Sequence, residues 1–200
     1  MTKIKCCGLM RNADIDMANR LHPDYIGFVF AKKSRRYIEM DTAKALKSRL
    51  DQDIRTVGVF VDAEIDEITA LVNAGIIDMI QLHGSEDVNY LKHLQEHVDV
   101  PIIKAVQIRT KEDTKGLESI PADLLLLDAG AGDGKVFDWD LLGDIRQPYF
   151  LAGGLNPENV GDAVVLLHPY GVDVSTGIET DGYKDEAKMR AFINVARSEK

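Results

Sequence analysis

The sequence predicts a single-domain (β/α)₈ TIM barrel that spans residues 1–200. Eight short apolar runs alternate with amphipathic stretches, and each run starts about 20 to 30 residues after the previous one, the length of a strand-plus-helix unit. The run Leu124–Leu127 is continuously apolar, as in parallel strands that are covered on both faces. An open doubly wound sheet shares this alternation, and the pattern alone separates the two folds poorly. The number of units favours the barrel.

The apolar runs predict the strands, and the stretches between them predict the helices. Strands are expected at residues 3–7, 24–30, 55–61, 78–82, 101–106, 122–128, 149–153 and 171–175. Helices are expected at residues 41–50, 64–74 and 86–97, in a short stretch near 139–144, and from about residue 185 to the end. Asp41 is a predicted N-cap, Gly75 is a predicted helix-ending glycine, and Asn156-Pro157 is expected to open a further helix.

Composition narrows the class of protein and its partners. The 200 residues can bury a sizeable core, and 45% hydrophobic with 28% charged residues is ordinary for a globular protein. The net charge of −9 argues against nucleic acid, because phosphate backbones need a basic face. No apolar stretch approaches the roughly 20 residues of a membrane span, and residues 1–5 lack the apolar core of a secretory signal. We therefore expect a cytoplasmic monomer without a membrane partner.

Two strand ends carry a candidate base and a candidate acid, because a barrel collects its chemistry at the carboxyl ends of its strands. Cys7 ends the first strand and Asp128 ends the sixth, so both would share one mouth. A cation near the thiol, such as Lys5, would lower the pKa of Cys7 and favour the thiolate. Burial would raise the pKa of Asp128 and let it donate a proton. The simpler interpretations are a buried structural thiol and an aspartate that caps the following loop.

The alternation of a strand separates the two adjacent cysteines. Ile4 and Cys6 share one face, whereas Lys5 and Cys7 share the other. Cys6 is therefore interpreted as a small buried hydrophobe and Cys7 as the inward-facing thiol. Neighbours that point to opposite faces do not form a disulfide, and the cysteines lack any zinc spacing, so no metal is expected.

The loops after strands seven and eight predict a phosphate site. Gly153 and Gly154 precede a helix, where paired glycines let backbone amides approach an anion closely. Ser175, Thr176 and Gly177 follow the last strand, where small residues and hydroxyls can complete a ring of donors. A tight turn alone would also explain the glycines. Both loops in this order favour phosphate, because they form the usual phosphate site of a barrel.

Strands two and four end in residues that could contact a substrate. A charged stretch at 32–36 follows strand two, and one arginine aimed at the mouth could bind a carboxylate through two hydrogen bonds. The composition does not say which arginine. Gln81 and His83 lie on the same side of strand four, so both are candidate substrate contacts, as is Asp173 at the end of strand eight.

The ordered set of motifs resembles the phosphoribosylanthranilate isomerase family over essentially the whole chain. Lys5-Cys6-Cys7-Gly8 is similar to the family's Lys-Ile-Cys-Gly, with Cys6 in place of isoleucine. The other matching motifs follow in family order at residues 27–30, 33–37, 57–60, 81–84, 127–129, 134–139, 151–155, 173–179 and 182–185. Each motif is weak alone, whereas the ordered set is specific.

The resemblance implies an Amadori rearrangement of N-(5-phosphoribosyl)anthranilate to 1-(2-carboxyphenylamino)-1-deoxyribulose 5-phosphate, the third step from chorismate in tryptophan biosynthesis. It implies no cofactor and no metal. By resemblance Asp128 is the general acid that protonates the ribose ring oxygen, and Cys7 is the general base. Arg36 would hold the substrate carboxylate, and the loops at 153–154 and 175–177 would hold the phosphate.

The sequence departs from the family pattern in three places that do not touch the implied acid or base. Thr176 replaces a common serine and keeps the hydroxyl, and Lys32 replaces a common proline in the second loop. The stretch 131–134 lacks a common threonine and carries Asp133. These changes bear on rate and loop mobility more than on the reaction.

Two other functions fit part of the pattern. Another phosphate-binding barrel enzyme, such as a sugar-phosphate epimerase or indoleglycerol-phosphate synthase, would share the last two loops. Epimerases need metal ligands and the synthase uses lysine–glutamate chemistry, whereas this chain offers a thiol and a lone aspartate. A non-catalytic barrel that binds a phosphorylated ligand is the other alternative, and the presence of both Cys7 and Asp128 argues against it.

Overall fold

Eight parallel strands close into a barrel in sequence order in the computed structural model, which describes residues 1–128, 139–142 and 145–198. The strands are β1 Lys3–Cys7, β2 Tyr25–Val29, β3 Arg55–Phe60, β4 Met79–Leu82, β5 Ile102–Gln107, β6 Leu124–Asp128, β7 Tyr149–Ala152 and β8 Gly171–Val174. Strand β1 pairs with β2 on one side and with β8 on the other, where Ile4 lies opposite Val172. The barrel prediction is therefore confirmed, and the open sheet is excluded.

Amphipathic helices surround the strands. Among the described residues they are α1 Asn12–Leu21, α2 Met40–Lys47, α3 Ile65–Asn73, α4 Val88–Gln95, α5 Val160–Leu167 and α6 Glu186–Ser198. Helix α6 buries Met189, Phe192, Ile193 and Ala196, which recur at helical spacing along one face. A short antiparallel pair, β9 Glu179–Thr180 and β10 Tyr183–Lys184, lies between β8 and α6. None of the described helices is long and apolar enough to span a membrane.

One of the three predicted helix signals, Gly75, acts where it was expected. Gly75 follows α3 with a φ of 66°, a backbone conformation that suits glycine and ends the helix. The prediction that Asp41 is an N-cap is wrong, because Glu39 holds that position and Asp41 lies in the first turn of α2. Asp41 lies two residues after the N-cap, where a carboxylate still interacts favourably with the helix dipole.

The stretch Asn156-Pro157 opens a turn just ahead of α5. The Asn156 side-chain oxygen accepts hydrogen bonds from the amides of Glu158 and Asn159, at 2.9 and 3.1 Å. The Asn159 side-chain oxygen accepts the amide of Asn156 at 2.9 Å in return. The expectation that Asn156-Pro157 opens the helix is wrong by three residues, because Asn159 is the N-cap of α5 and the Asn156 side chain stabilises the turn before it.

Two connections differ from the predicted strand-plus-helix unit. Between β5 and β6 the chain forms two 3₁₀ turns, Lys111–Thr114 and Leu117–Ser119, and no α-helix. Gly116 separates them with a φ of 76°, and the stretch lacks an apolar stripe of helical period. The short helix predicted after β6 is a 3₁₀ turn at Trp139–Leu141, and residues 143–144 lie outside the described part of the chain.

Side chains alternate between the barrel interior and the layer under the helices. Ile4 and Cys6 are fully buried in the outer layer with the helix residues. Lys5 is also fully buried, and the interior apolar cluster consists of Tyr25, Val57, Met79, Ile103, Leu124, Leu126, Phe150 and Ala152. Cys7 belongs to a separate small cluster with Val29 and Val59. The alternation predicted for the two cysteines is thus present in the structure.

The amino end of the barrel carries a repeated hydrogen bond. Asp24, Asp78 and Asp123 each directly precede an even-numbered strand, and each accepts a backbone amide of the preceding odd-numbered strand. The acceptor oxygens lie 3.0 Å from the amide of Ile4, 2.7 Å from that of Thr56 and 2.8 Å from that of Ile102. These carboxylates satisfy strand amides at the edge where the ladder begins, so they stabilise that end of the barrel.

Candidate active site at the carboxyl end of the barrel

A cavity of about 350 Å³ opens at the carboxyl ends of the strands. Ten of the eleven predicted site residues line it, namely Cys7, Arg36, Gln81, His83, Asp128, Gly153, Gly154, Asp173, Ser175 and Thr176. The exception is Gly177. The strands therefore bring together residues that lie far apart in the sequence, as the barrel prediction requires.

Cys7 lies at the base of this cavity and is only 8% exposed. Its thiol occupies space that glycine leaves open on the neighbouring strand, since a Cβ at Gly27 would lie 2.6 Å from the Cys7 sulfur. The Ser175 hydroxyl donates a hydrogen bond to the Cys7 carbonyl oxygen at 3.0 Å. Gly27 was not among the predicted site residues, although a glycine inside an apolar strand is a signal of close approach.

A buried ion pair lies next to the thiol in the barrel interior. The Lys5 ammonium is 2.9 Å from an Asp173 carboxylate oxygen, and the Lys5 side chain is completely buried. Burial works against the charged form of Lys5, but Asp173 outweighs it and raises the pKa of the lysine. The polar interior that Lys5 suggested in the sequence is therefore present.

The environment favours the thiol form of Cys7 over the thiolate. Burial raises the pKa of Cys7, and the Asp173 carboxylate adds to that rise. Lys5 acts in the opposite direction, as predicted, yet it does not outweigh burial. The expectation of a lowered thiol pKa is therefore wrong, because burial outweighs the lysine and Asp173 adds to the rise. Burial also raises the pKa of Cys6, to about 12.

A chain of polar contacts leads from Gln81 to Asp128. The Gln81 side-chain nitrogen lies 3.0 Å from His83 Nδ1, and His83 Nε2 lies 3.3 Å from an Asp128 carboxylate oxygen. Because an amide nitrogen only donates, Nδ1 accepts and the hydrogen of neutral His83 is on Nε2, facing Asp128. The Gln81 side-chain oxygen is buried and has no hydrogen-bond partner among the described residues. Asp128 keeps 25% of its side chain exposed, and its raised pKa stays a prediction.

Arg36 reaches the cavity but is already engaged by a carboxylate. Its Nε and Nη2 lie 2.7 and 2.9 Å from the two oxygens of Glu179. The aliphatic part of Arg36 crosses over Gly8, where a Cβ would lie 2.2 Å from the arginine Cδ. Glu179 and its second partner Lys184 were not predicted as site residues, although both fall within the motifs that carried the resemblance.

The two predicted phosphate loops meet beside the cavity. Gly153 and Gly154 have φ values of 91° and 68°, so the turn requires glycine there and also leaves its backbone open to the cavity. Gly177 contributes close packing, since a Cβ there would lie 2.0 Å from the Leu155 carbonyl oxygen. Its predicted phosphate contact, like those of the other loop residues, stays a prediction. The loop at 131–134 and the motif at 134–138 lie outside the described residues.

The model of the N-(5′-phosphoribosyl)anthranilate (PRA) isomerase family matches residues 4–195 of the chain. A relative from Endomicrobium trichonymphae with that enzyme name is 45% identical over 203 residues, which cover 99% of this chain and 100% of that protein. A relative from Thermoanaerobacter sp. (strain X514) with the same name is 42% identical, with 98% of each chain covered.

The chain belongs to the PRA isomerase family. The crystal structure of phosphoribosyl anthranilate isomerase from Thermotoga maritima matches with a TM-score of 0.91 at 33% identity, covering 99% of this chain and 100% of that one. Membership in the PRA isomerase family confirms the resemblance found in the ordered motifs. It also confirms the (β/α)₈ barrel and an isomerase of tryptophan biosynthesis, the function predicted from the sequence.

Proposed function

We propose that this chain converts N-(5-phosphoribosyl)anthranilate to 1-(2-carboxyphenylamino)-1-deoxyribulose 5-phosphate, with Asp128 as the general acid and Cys7 as the general base. One observation carries the assignment of roles: the thiol and the carboxylate line a single cavity with Arg36 and two loops suited to phosphate. A family member crystallised with reduced 1-(o-carboxyphenylamino)-1-deoxyribulose 5-phosphate matches this chain with a TM-score of 0.86 at 32% identity. That ligand has the phosphate and carboxylate that this site is suited to bind.

The first step opens the ribose ring. Asp128 in its protonated form donates its proton to the ring oxygen, the bond from that oxygen to the sugar C1 breaks, and the nitrogen lone pair forms the Schiff base. His83 lies within 3.3 Å of Asp128 and holds the carboxyl group in position. Gln81 fixes the ring of His83 in turn.

The second step moves a proton from carbon. The Cys7 thiolate removes the proton from C2, the electron pair forms the C1–C2 double bond, and the positive charge on nitrogen disappears. The resulting enolamine gains a proton at C1 and loses the hydroxyl proton at C2, which gives the ketone. Because the pKa of Cys7 is raised in the free protein, the thiolate is the minor form at neutral pH, and its share grows with pH.

Binding uses positive charge that is local, in a chain whose net charge is −9. The guanidinium of Arg36 suits the anthranilate carboxylate, because it presents N–H groups as a planar fork. The backbone amides near Gly153 and Gly154, with the loop at residues 175–177 and the Thr176 hydroxyl, suit the phosphate. The two ends of the substrate would thereby be held while the sugar lies between Asp128 and Cys7.

A direct assay tests the function. The wild-type chain is incubated with N-(5-phosphoribosyl)anthranilate, and both loss of substrate fluorescence and formation of the product by chromatography are followed. We expect turnover, and we expect reduced 1-(o-carboxyphenylamino)-1-deoxyribulose 5-phosphate to inhibit it competitively. Binding of that analogue without turnover of the substrate would instead indicate a non-catalytic barrel, and the proposed function would then be wrong.

The remaining proposals concern the state of the protein. We propose that residues 1–200 form a single barrel domain and that the enzyme is a cytoplasmic monomer, in keeping with a biosynthetic enzyme family. A structure of monomers generated from the dimeric phosphoribosylanthranilate isomerase of Thermotoga maritima matches this chain with a TM-score of 0.88 at 33% identity, so a dimer is the alternative to test. Sedimentation velocity at micromolar concentration distinguishes a monomer from a dimer.

A further inference from the structure

Glu179 is the centre of a buried cluster of cations beside the cavity. Only 5% of its side chain is exposed, and its two oxygens contact three basic side chains. Arg36 donates from Nε and Nη2 at 2.7 and 2.9 Å, Arg35 donates from Nη2 at 2.7 Å, and the Lys184 ammonium lies at 2.8 Å. Burial opposes ionisation of Glu179, but the hydrogen bonds from Arg36 and Lys184 hold its pKa below the usual value.

The contact with Glu179 uses one edge of the Arg36 guanidinium and leaves another edge open. A guanidinium has five N–H groups in a rigid plane, and Glu179 takes the Nε–H and one Nη2–H. The second Nη2–H and one Nη1–H make up the end-on edge. Among the described residues, none accepts a hydrogen bond from Arg36 Nη1, and Arg36 lines the cavity. A second carboxylate can therefore bind the same arginine in a bidentate way.

The cluster keeps positive charge available for such a second carboxylate. Three cations share the single negative charge of Glu179, so pairing does not neutralise Arg36. Arg35 is 58% exposed and its contribution is screened by solvent, whereas Arg36 and Lys184 are buried to a large degree. Glu179 thus fixes the guanidinium without cancelling its attraction for an anion.

The same cluster connects the carboxylate end of the site to its phosphate end. Besides Glu179, the Lys184 ammonium contacts the Ser175 carbonyl oxygen at 3.0 Å and its hydroxyl at 3.4 Å. The Ser175 hydroxyl donates to the Cys7 carbonyl oxygen at 3.0 Å. A continuous set of contacts therefore runs from Arg36 through Glu179, Lys184 and Ser175 to the strand that carries the base.

We infer that Glu179 is the positioning residue of the carboxylate clamp: it holds the side-on edge of Arg36 so that the end-on edge faces the aromatic carboxylate of the substrate. The inference rests on the proposed function, because it takes Arg36 as the residue that binds that carboxylate. Glu179 itself touches neither the substrate nor the reacting atoms, and it acts through Arg36. The spacing between the two anionic ends of the substrate is thereby fixed by one buried carboxylate.

The test compares Glu179→Gln, Arg36→Met and the double variant in steady-state turnover of N-(5-phosphoribosyl)anthranilate. Glu179→Gln keeps the shape of the side chain but loses the charge that holds the guanidinium, so we expect KM to rise about tenfold with kcat within about threefold of wild type. Because Glu179 acts through Arg36, the same change made in the Arg36→Met background is expected to leave KM unchanged.

A matched control separates this role from a general loss of structure. Asp78→Asn removes a carboxylate that pairs with Lys47 at 2.7 Å at the opposite end of the barrel, and it is expected to keep the wild-type KM. If Glu179→Gln does not fold, Glu179→Asp replaces it, since a shorter carboxylate keeps the charge but loses the fork with Arg36. The expected pattern is the same: Glu179→Asp raises KM in the wild-type background but does not raise it further in the Arg36→Met background.

The outcomes separate the inference from the proposed function. Absence of wild-type turnover overturns the function. Wild-type turnover with an unchanged KM in Arg36→Met overturns the carboxylate clamp and the inference with it. Two outcomes overturn only the positioning role of Glu179, provided that Arg36→Met raises KM. The first is an unchanged KM in the Glu179 variant, and the second is a further rise of KM in the double variant.

Discussion

The two ends of the barrel use charged and polar side chains in different ways. At the amino end, Asp24, Asp78 and Asp123 each accept a strand amide, and Lys3 and Lys47 each pair with one of these carboxylates at 2.7 Å. One oxygen of Asp78 also accepts the hydroxyl of Thr56, at 2.9 Å. Such an arrangement satisfies backbone groups and contributes to the stability of the fold.

The carboxyl end leaves groups that the described residues do not fully satisfy. Glu179 faces three cations, the Gln81 side-chain oxygen is buried without a partner, and burial holds Cys7 as a thiol with a raised pKa. The unpartnered Gln81 oxygen costs stability in the free protein, and the three cations suit a ligand that brings a carboxylate. The amino end of the barrel thus contributes mainly to stability, whereas the carboxyl end carries the groups proposed for binding and catalysis.

The largest expected effect comes from removing the proposed acid or base. Cys7→Ala and Asp128→Ala are each expected to lower kcat by about 10²- to 10⁴-fold, the usual share of general acid–base catalysis. Both side chains border the cavity, so we expect the midpoint of urea unfolding to change little. Steady-state turnover and binding of the reduced product analogue measure the effect. Near-normal turnover in either variant would show that the assigned role is wrong.

The next effect concerns the glycine beside the base. Gly27→Ala places a Cβ 2.6 Å from the Cys7 sulfur, so either the thiol or the strand must move. We expect overpacking to lower the free energy of unfolding by about 1–3 kcal/mol. We also expect kcat to fall about 10²-fold, because moving a reacting group by about 1 Å can lower the rate by that factor.

Gly75→Ala is the control for this substitution. Gly75 has a φ of 66°, but a Cβ there meets open space, so the change costs only backbone strain of about 1 kcal/mol and no activity. Urea unfolding and turnover are measured on both variants. Equal kcat in Gly27→Ala and wild type would mean that the position of the thiol does not limit the reaction.

The strands and the choice between the cysteines could be predicted because both depend on local pattern. A parallel strand that is buried on both faces is apolar until it ends, which is why the observed bounds fall within two residues of the predicted ones. A period of two is enough to separate Cys7 from Cys6. The stretch between β5 and β6 has no apolar stripe, and there the expected helix is replaced by 3₁₀ turns.

The electrostatics of the site could not be predicted in the same way. Arg36 and Glu179 are 143 positions apart in the chain, and Lys5 and Asp173 are 168 apart. Which charges meet depends on the stagger of strands in the closed barrel, and a single sequence carries no local sign of it. The direction of the Cys7 pKa shift was predicted wrongly mainly because burial outweighs Lys5, and the added contribution of Asp173 has no local sign in the sequence.

A smaller effect tests the environment of the thiol. Burial raises the pKa of Cys7, Lys5 opposes the rise and Asp173 adds to it, so Asp173→Asn is expected to lower that pKa. Alkylation by iodoacetamide at about pH 8 should then be faster by about tenfold or less, because the thiolate is the reacting form. Cys6 is completely buried whereas Cys7 lines the cavity, so the label at about pH 8 reports on Cys7.

The rate in wild type should also rise with pH, by up to about tenfold for each pH unit below the pKa of Cys7. Asp123→Asn at the amino end is the control and is expected to leave the alkylation rate unchanged. An alkylation rate that is the same in Asp173→Asn and wild type would mean that this carboxylate does not influence the thiol. The contrast between the two ends of the barrel would then be weaker.

The smallest effect lies at the amino end and concerns stability alone. Burial opposes ionisation of Asp78, but the hydrogen bonds from Lys47 and Thr56 outweigh it and lower the pKa of Asp78 below 3.8. A group whose pKa is lower in the folded state stabilises the fold above its unfolded pKa, and this contribution is lost as the pH falls through the folded pKa. Asp78→Asn is therefore expected to lower the free energy of unfolding by about 1 kcal/mol at about pH 6, a value reduced by the partial exposure of the carboxylate.

The stability difference between wild type and Asp78→Asn should shrink as the pH falls below about 4, because protonation of Asp78 then weakens its hydrogen bonds in wild type as well. Urea unfolding at several pH values measures it, and turnover at neutral pH is expected to match wild type, since Asp78 and the cavity lie at opposite ends of the strands. A loss of turnover larger than the loss of stability would mean that the two ends are coupled. The separation would then have to be replaced by a network that runs the length of β4.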